Sequence, residues 1–190
     1  MIPVTEQPEP DDFDKKVRQP GKKWLAKKTG EWRSSELPAY WTRILNELYD
    51  AYHGICAYRC IYIERVQSSA TVDHFLPKSK HRELAYEWSN YRLCCPACNS
   101  AKGEHEGILD PFDIKPHTFY IDFLTGEIYP AEDAPPNAQK TIDVLGLNRE
   151  DCKRMRCDHF MLYCKHKDLL DYTFRNSPFV YKEIRRQGLL

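Results

Sequence analysis

The most regular spacing of apolar residues lies between Pro38 and His53. Apolar side chains recur there every three or four positions, at Trp41, Ile44, Leu45, Leu48, Tyr49 and Tyr52. This spacing places them on one face of an amphipathic helix. We therefore predict a helix over this segment, with its apolar face packed against a core.

The middle of the chain has a different pattern, in which two short apolar runs flank a charged loop. Residues 70–75 predict one strand and residues 90–94 a second, with the loop over residues 77–87. The Cys-Pro-Ala-Cys sequence at residues 95–98 predicts a turn, and a short helix begins near Asn99. Strand, loop, strand, turn and helix together make a ββα motif.

The last third of the chain predicts a hairpin followed by helices. Residues 119–123 and 127–129 have the composition of strands and are separated by a Thr-Gly turn. Residues 138–145 predict a helix that Gly146 ends. Asn148 then has the sequence context of an N-cap for a longer C-terminal helix.

The N-terminal region carries an uneven distribution of charge. Residues 1–37 are rich in Pro, Lys and acidic side chains, which predicts an extended arm with a turn at Pro20-Gly21. Within residues 15–33, eight basic side chains stand against the single acidic Glu31. This arm is either a solvated charged segment or a contact for nucleic-acid phosphates, because lysines near a duplex release condensed counterions.

Composition narrows the class of protein. A chain of 190 residues can bury one core and a helical lobe, and 42% hydrophobic residues predict that it folds. The formal net charge of zero does not by itself predict a nucleic-acid or membrane partner. The sequence shows neither a signal peptide nor an apolar run near the ~18 residues that a membrane span needs, so we expect a cytoplasmic protein with no membrane partner.

Residue types suited to phosphodiester hydrolysis concentrate in the ββα motif. Such hydrolysis needs an activated water, a cation and a rigid frame. His74 is a candidate base, because a reference pKa of about 6.5 leaves much of the imidazole neutral at pH 7. Asp73 and Asn99 offer hard oxygen ligands for Mg²⁺ or Mn²⁺. Asn90 is placed to hydrogen-bond the loop and orient His74, and Lys102 either contacts a phosphate or is simply solvated.

These residues resemble the motif of HNH endonucleases. In that motif an Asp-His pair, a first Asn and a final His or Asn occur in order, as Asp73-His74, Asn90 and Asn99 do here, with Lys102 following. The final Asn makes this an HNN variant. The resemblance implies that His74 is the general base, that Asp73 and Asn99 bind the metal, and that Asn90 is structural.

Two further segments, residues 109–112 and 141–148, resemble the HNH proteins of Septu and retron anti-phage systems. This second resemblance is less specific than that of the motif. It implies that the chain acts in defence against phage beside an ATPase partner.

Four cysteines are candidate ligands of a structural zinc. Cys95 and Cys98 have zinc-knuckle spacing, and Cys56 with Cys60 would complete a Cys₄ site. Three residues separate Cys56 from Cys60, where the family has two, and His53 is an alternative ligand. The other interpretation is a set of buried thiols in a small core. A reducing compartment favours either of these over disulfides.

We expect an α+β protein with a ββα-metal core, an N-terminal helix and a C-terminal helical lobe. The predicted division is an extended basic arm over residues 1–37, a nuclease core with its flanking hairpin over residues 38–130, and the lobe over residues 131–190. The predicted function is metal-dependent hydrolysis of DNA. The alternative is a catalytically inactive, zinc-stabilised module that binds nucleic acid or serves as an adaptor.

Overall fold

The structure is a computed structural model that describes residues 1–28, 33–66 and 68–190. Residues 29–32, with Glu31 of the predicted basic arm, lie outside the described residues, as does Gln67. The described chain combines helices with two separate two-stranded antiparallel sheets. It therefore belongs to the predicted α+β class. None of the helices described is long and apolar enough to cross a membrane.

The described residues form two compact units. The first, here called the ββα unit, contains residues 6–54 and 63–106. The second, here called the helical unit, contains residues 1–5, 55–62 and 107–190. This grouping differs from the predicted division, because the hairpin belongs with the C-terminal helices and most of the N-terminal region belongs with the ββα motif.

The ββα motif is present where the sequence predicts it. Strand β1 (Thr71–His74) pairs antiparallel with β2 (Tyr91–Cys94), with Asp73 opposite Arg92. Helix α3 (Pro96–Lys102) follows directly. It begins three residues before the predicted start, because a proline suits the first helical turn, where no backbone N–H is needed.

The N-terminal region is helical where the sequence predicts an extended arm. A π-helical turn (Asp14–Arg18) leads into α1 (Gln19–Lys27). Pro20 lies in the first turn of α1, so it does not break the helix. A methyl group at Gly21 would lie 2.2 Å from Cγ of Tyr86, so this glycine permits close packing and does not form the predicted turn.

Many of the basic side chains in this region have acidic partners. Ion pairs join Lys16 to Asp12 and Glu47, Arg18 to Glu9, Asp14 and Glu87, Lys22 to Glu87, and Lys28 to Glu36. Phe13 and Val17 are fully buried, and Phe13 packs edge-on against Trp88 with ring centroids 5.6 Å apart. The segment is therefore a packed part of the ββα unit.

The helix predicted over residues 38–53 has a shorter and mixed form. A 3₁₀ helix (Tyr40–Ile44) precedes α2 (Leu45–Ala51). Ile44 and Leu48 are fully buried, as the apolar spacing predicts. The amphipathic face is therefore confirmed, although the regular α-helix covers only its second half.

The helical unit contains the predicted hairpin and the helices that follow it. Strand β3 (Phe119–Ile121) pairs antiparallel with β4 (Ile128–Pro130). Gly146, with a φ of +58°, lies just after the first helix of the unit, as predicted. The helices are α4 (Ala138–Val144), α5 (Glu150–Lys165), α6 (Leu170–Asn176) and α7 (Pro178–Arg186).

Asn148 does not have the predicted N-cap role. The N-cap position of α5 is Arg149, which makes no side-chain capping bond. The Asn148 side chain instead accepts a hydrogen bond from the Ile128 N–H and donates one to the Ile128 carbonyl, each at 2.8 Å. The backbone of β4 provides this donor and acceptor pair. The Asn148 amide therefore binds the hairpin and does not cap α5.

Candidate active site

Strand β1, the loop after it and helix α3 surround a cavity of about 180 Å³ in the ββα unit. The adjacent residues Asp73 and His74 line it together with Asn99, which is distant from them in sequence. The other lining residues are Trp41, Val72, Pro77, Lys78, Ser79, Gly103 and Glu104. The fold therefore brings the candidate base and both candidate metal ligands to one small cavity.

His74 is held by a backbone hydrogen bond on one side of its ring. Its Nε2 lies 2.9 Å from the Ala85 carbonyl oxygen, which also accepts the Tyr91 hydroxyl at 2.9 Å. Because a carbonyl only accepts, Nε2 carries the proton in the neutral ring, and Nδ1 is the basic atom. The rings of Trp41 and Tyr91 pack edge-on against the imidazole, with centroids 4.7 Å and 5.1 Å away.

Burial lowers the pKa of His74 to about 3, and the positive charge of Lys78 contributes in the same direction. The ring is therefore neutral at pH 7, which is the state in which a general base accepts a proton. A lower pKa also means a weaker base. The low pKa of His74 therefore keeps the ring in the form that can accept a proton, but it reduces the affinity of the ring for that proton.

Lys102 is buried in the frame of the site. Its side chain has no exposed surface, and Nζ lies 3.2 Å from Oδ1 of Asp73 and donates to the His74 carbonyl at 2.7 Å. Neither simple solvation nor a direct phosphate contact fits this position. A buried ammonium requires such partners. Lys102 therefore ties α3 to the Asp-His end of β1.

Asn90 bridges the two ends of the loop between the strands. Its Oδ1 accepts the Leu76 N–H at 2.8 Å, and its Nδ2 donates to the carbonyls of Leu76 and Leu84 at 3.0 and 3.2 Å. Leu84 precedes Ala85, whose carbonyl holds His74. Asn90 thus connects the loop geometry to the orientation of the candidate base.

Asn99 lies on the first turns of α3 and faces β1. Its Nδ2 donates to the Thr71 hydroxyl at 3.1 Å, so the amide oxygen is the atom that remains for a cation. Asp73 and Glu104 add carboxylates to the same cavity. Hard oxygen donors of this kind fit Mg²⁺ or Mn²⁺.

Of the four cysteines predicted to bind zinc, Cys95 and Cys98 lie in the ββα unit, whereas Cys56 and Cys60 lie in the helical unit. All four are buried free thiols. Cys95 and Cys98, at the start of α3, have the spacing of one pair of zinc ligands, and the complete Cys₄ site stays a prediction. Cys60 Sγ lies near the carbonyls of Ala57 and Tyr58, at 3.9 and 3.8 Å.

Sequence reasoning missed several residues that line the cavity, namely Trp41, Lys78, Ser79 and Glu104. Trp41 belongs to an amphipathic segment, and its spacing indicates packing alone. Lys78 and Ser79 stand in the charged loop shortly after His74. That proximity is a usable signal, but a lysine in such a loop has the sequence context of a solvated one.

Comparison with known proteins agrees with this geometry. Residues 55–105 match the family model described as HNH endonuclease. Over 101 residues the chain is 32% identical to the Septu protein PtuB of Bacillus thuringiensis. That alignment covers 49% of this chain and 38% of the relative, so the chain spans well under two thirds of that protein. The family match contains all the cavity residues of β1 and α3.

Proposed function

We propose that this chain, whose residues 55–105 match the HNH endonuclease family model, hydrolyses phosphodiester bonds of DNA with the help of a divalent cation. One observation carries the proposal. A neutral histidine and two hard oxygen donors, His74, Asp73 and Asn99, line the same cavity. General base and cation site must be this close if both are to act on one phosphate.

In the proposed reaction Nδ1 of His74 accepts the proton of the attacking water. The bond from Nε2 to the Ala85 carbonyl keeps the ring in the tautomer and orientation that this step needs. Asp73 and Asn99 would hold Mg²⁺ or Mn²⁺. When bound, such a cation neutralises the negative charge that grows on the phosphate and the leaving oxygen.

The cysteines support a second, structural metal. Cys95 and Cys98 flank the start of α3, and Asn99 follows Cys98 directly. A zinc ion held by these two thiols would fix the first turn of α3. It would thereby position Asn99 without taking part in the chemistry.

The biological role that we propose is defence against phage, in the cytoplasm, with an ATPase as partner. Its support is the similarity to the Septu protein PtuB together with the motif. We expect the chain to form a complex with the ATPase and to cut DNA poorly alone. Size measurement of the co-expressed pair tests this, and two separately migrating proteins would count against the partner.

The nuclease itself is tested by nicking of supercoiled plasmid with Mg²⁺, with Mn²⁺ and with a chelator. Asp73→Ala and Asn99→Ala should weaken cation affinity, so that excess Mn²⁺ partly restores cutting. Asp50→Ala, at an exposed position in the same unit, is the matched control and should cut like the parent. A protein that retards DNA yet never cuts it would instead favour the binding or adaptor module.

A further inference from the structure

We propose that Lys78 and Ser79 form a phosphate-binding element of the nuclease cavity, with the Lys78 ammonium and the Ser79 hydroxyl donating to oxygens of the DNA phosphate. This inference rests on the proposed function and names residues that would contact its substrate. Neither the candidate metal ligands nor His74 donates a hydrogen bond to the phosphate in the proposed reaction. A phosphate needs donors as well as a cation, because its charge lies on several oxygens.

Lys78 is placed and charged for this contact. Its side chain is half-buried and lines the cavity together with His74 and Asn99. The Nζ lies 5.4 Å from the centroid of the Trp41 ring, which itself packs against the imidazole. A cation over an aromatic ring is attracted by the electrons of that ring. Trp41 thus holds the ammonium beside the candidate base.

Ser79 provides an independent observation. Its Oγ is buried and has no hydrogen-bond partner among the described residues, although the residue lines the same cavity. A buried hydroxyl without a partner is destabilising, because it has lost its hydrogen bonds to water. An oxygen of the substrate phosphate would satisfy it, so the hydroxyl is poised for a ligand that the cavity receives.

The neighbouring lysines are not available in the same way. Lys102 has its Nζ buried against Asp73 and the carbonyl of His74. Lys80 pairs with Glu106 at 2.8 Å and does not line the cavity. Lys78 is therefore the lysine of this region that faces the reacting centre. Glu104 adds a negative charge to the cavity, which makes a positive contact to the phosphate more necessary.

A binding experiment tests the contact without cleavage. In the His74→Ala background with Mg²⁺, affinity for a labelled DNA oligonucleotide is measured by anisotropy over a range of salt. Lys78→Met should lower the slope of log K against log salt by about 0.7–0.9, the value for one phosphate contact. Ser79→Ala should weaken binding several-fold at an unchanged slope. Lys78→Arg should keep the slope, and Lys80→Met is the matched control.

A cleavage experiment measures the effect on the reaction. In the otherwise unchanged protein, Lys78→Met should lower kcat by about 10²–10³-fold, as loss of one transition-state donor does. Lys80→Met should cut like the parent. Equal slopes and equal rates for the two methionine variants would overturn the proposal while leaving the nuclease intact. If the parent does not cut, the proposed function fails, and the slope alone then decides whether Lys78 binds phosphate.

Discussion

Lys102 in the ββα unit and Arg156 in the helical unit are both buried basic side chains, but their partners differ. Lys102 binds the Asp73 carboxylate and the His74 carbonyl, at the edge of the cavity. Arg156 donates to the carbonyls of Gly126 and Leu147 at 2.5 and 2.8 Å. In both units a buried cation therefore has several hydrogen-bond acceptors. In the ββα unit these acceptors lie on the strand that carries the candidate base, and in the helical unit one of them, Gly126, lies between the two strands of the hairpin.

The remaining buried polar groups extend this contrast. In the helical unit Glu183 accepts the backbone N–H of Ile121 at 3.1 Å, and Thr141 accepts that of Leu109 at 2.8 Å. In the ββα unit Asp73 and His74 are buried yet line a cavity. Buried polarity alone thus does not identify a functional site, and neither does a cavity, because Glu183 also lines one. The ββα unit differs in that a histidine and hard oxygen donors line the same cavity.

The largest effect that we expect is loss of the cysteine site. Cys98→Ser should remove zinc and unfold the ββα unit, because zinc binding contributes about 10–16 kcal/mol to folding in zinc-finger peptides. Elemental analysis and thermal denaturation measure the two changes together. Cys164→Ser, at an exposed position of α5, is the control and should change neither. Parent protein that is fully folded without zinc would refute the site.

The next largest effects distinguish the roles of the two buried cations, Lys102 and Arg156. Lys102→Met leaves the Asp73 carboxylate without this partner and should destabilise the protein by about 3–5 kcal/mol. Arg156→Met should be destabilising by about 1–3 kcal/mol for each carbonyl that it leaves unpaired. At a temperature where both variants are folded, only Lys102→Met should slow cleavage. Equal rates of cleavage by the two variants would contradict this difference between Lys102 and Arg156.

A further effect concerns the pH dependence of stability. The pKa of His74 is lowered to about 3 in the folded protein, so between that value and about 6.5 the unfolded chain holds a proton that the folded one lacks. Stability should therefore fall with falling pH over this range, by about 1.4 kcal/mol per unit. Urea unfolding of the parent and of His74→Gln, without added Mg²⁺, isolates this contribution. Identical pH dependence of the two proteins would contradict it.

The smallest effect concerns the basic residues of α1. Lys23 and Lys27 are exposed, whereas Lys22 and Lys28 have acidic partners. Replacing Lys23 and Lys27 with Ala should lower the salt slope of DNA binding by up to about 0.9 for each phosphate that the variant no longer binds. The same change at Lys22 and Lys28 should have less effect. Unchanged slopes in both double variants would exclude α1 as a region that binds DNA.

The sequence predicts the ββα motif well because its signals are local. Two short apolar runs, the Cys-Pro-Ala-Cys segment and the order of Asp, His and Asn all lie within about fifty residues. The N-terminal helix is different. Composition favours an extended arm there, and only packing of Phe13 and Gly21 against Trp88 and Tyr86, distant in sequence, shows why it is helical.

In the candidate site, too, some features follow from local sequence signals and others depend on tertiary packing. The sequence predicts Asp73, His74 and Asn99, and the structure brings them to one cavity. It does not predict that Lys102 is buried or that Lys78 faces the cavity. Both are lysines in charged surroundings, and their roles depend on which of them the fold encloses. Such differences arise from tertiary packing, which residue spacing does not encode.

The most direct test of the central claim is the single-turnover rate of DNA cleavage by His74→Ala and by the parent, both with Mg²⁺ and free of contaminating nuclease. Loss of the general base should lower the rate by about 10²–10⁴-fold, while fold and DNA binding persist. A chelator should abolish the activity of the parent. If His74→Ala cuts as fast as the parent, His74 is not the base, and the account of this cavity as a hydrolytic centre is contradicted.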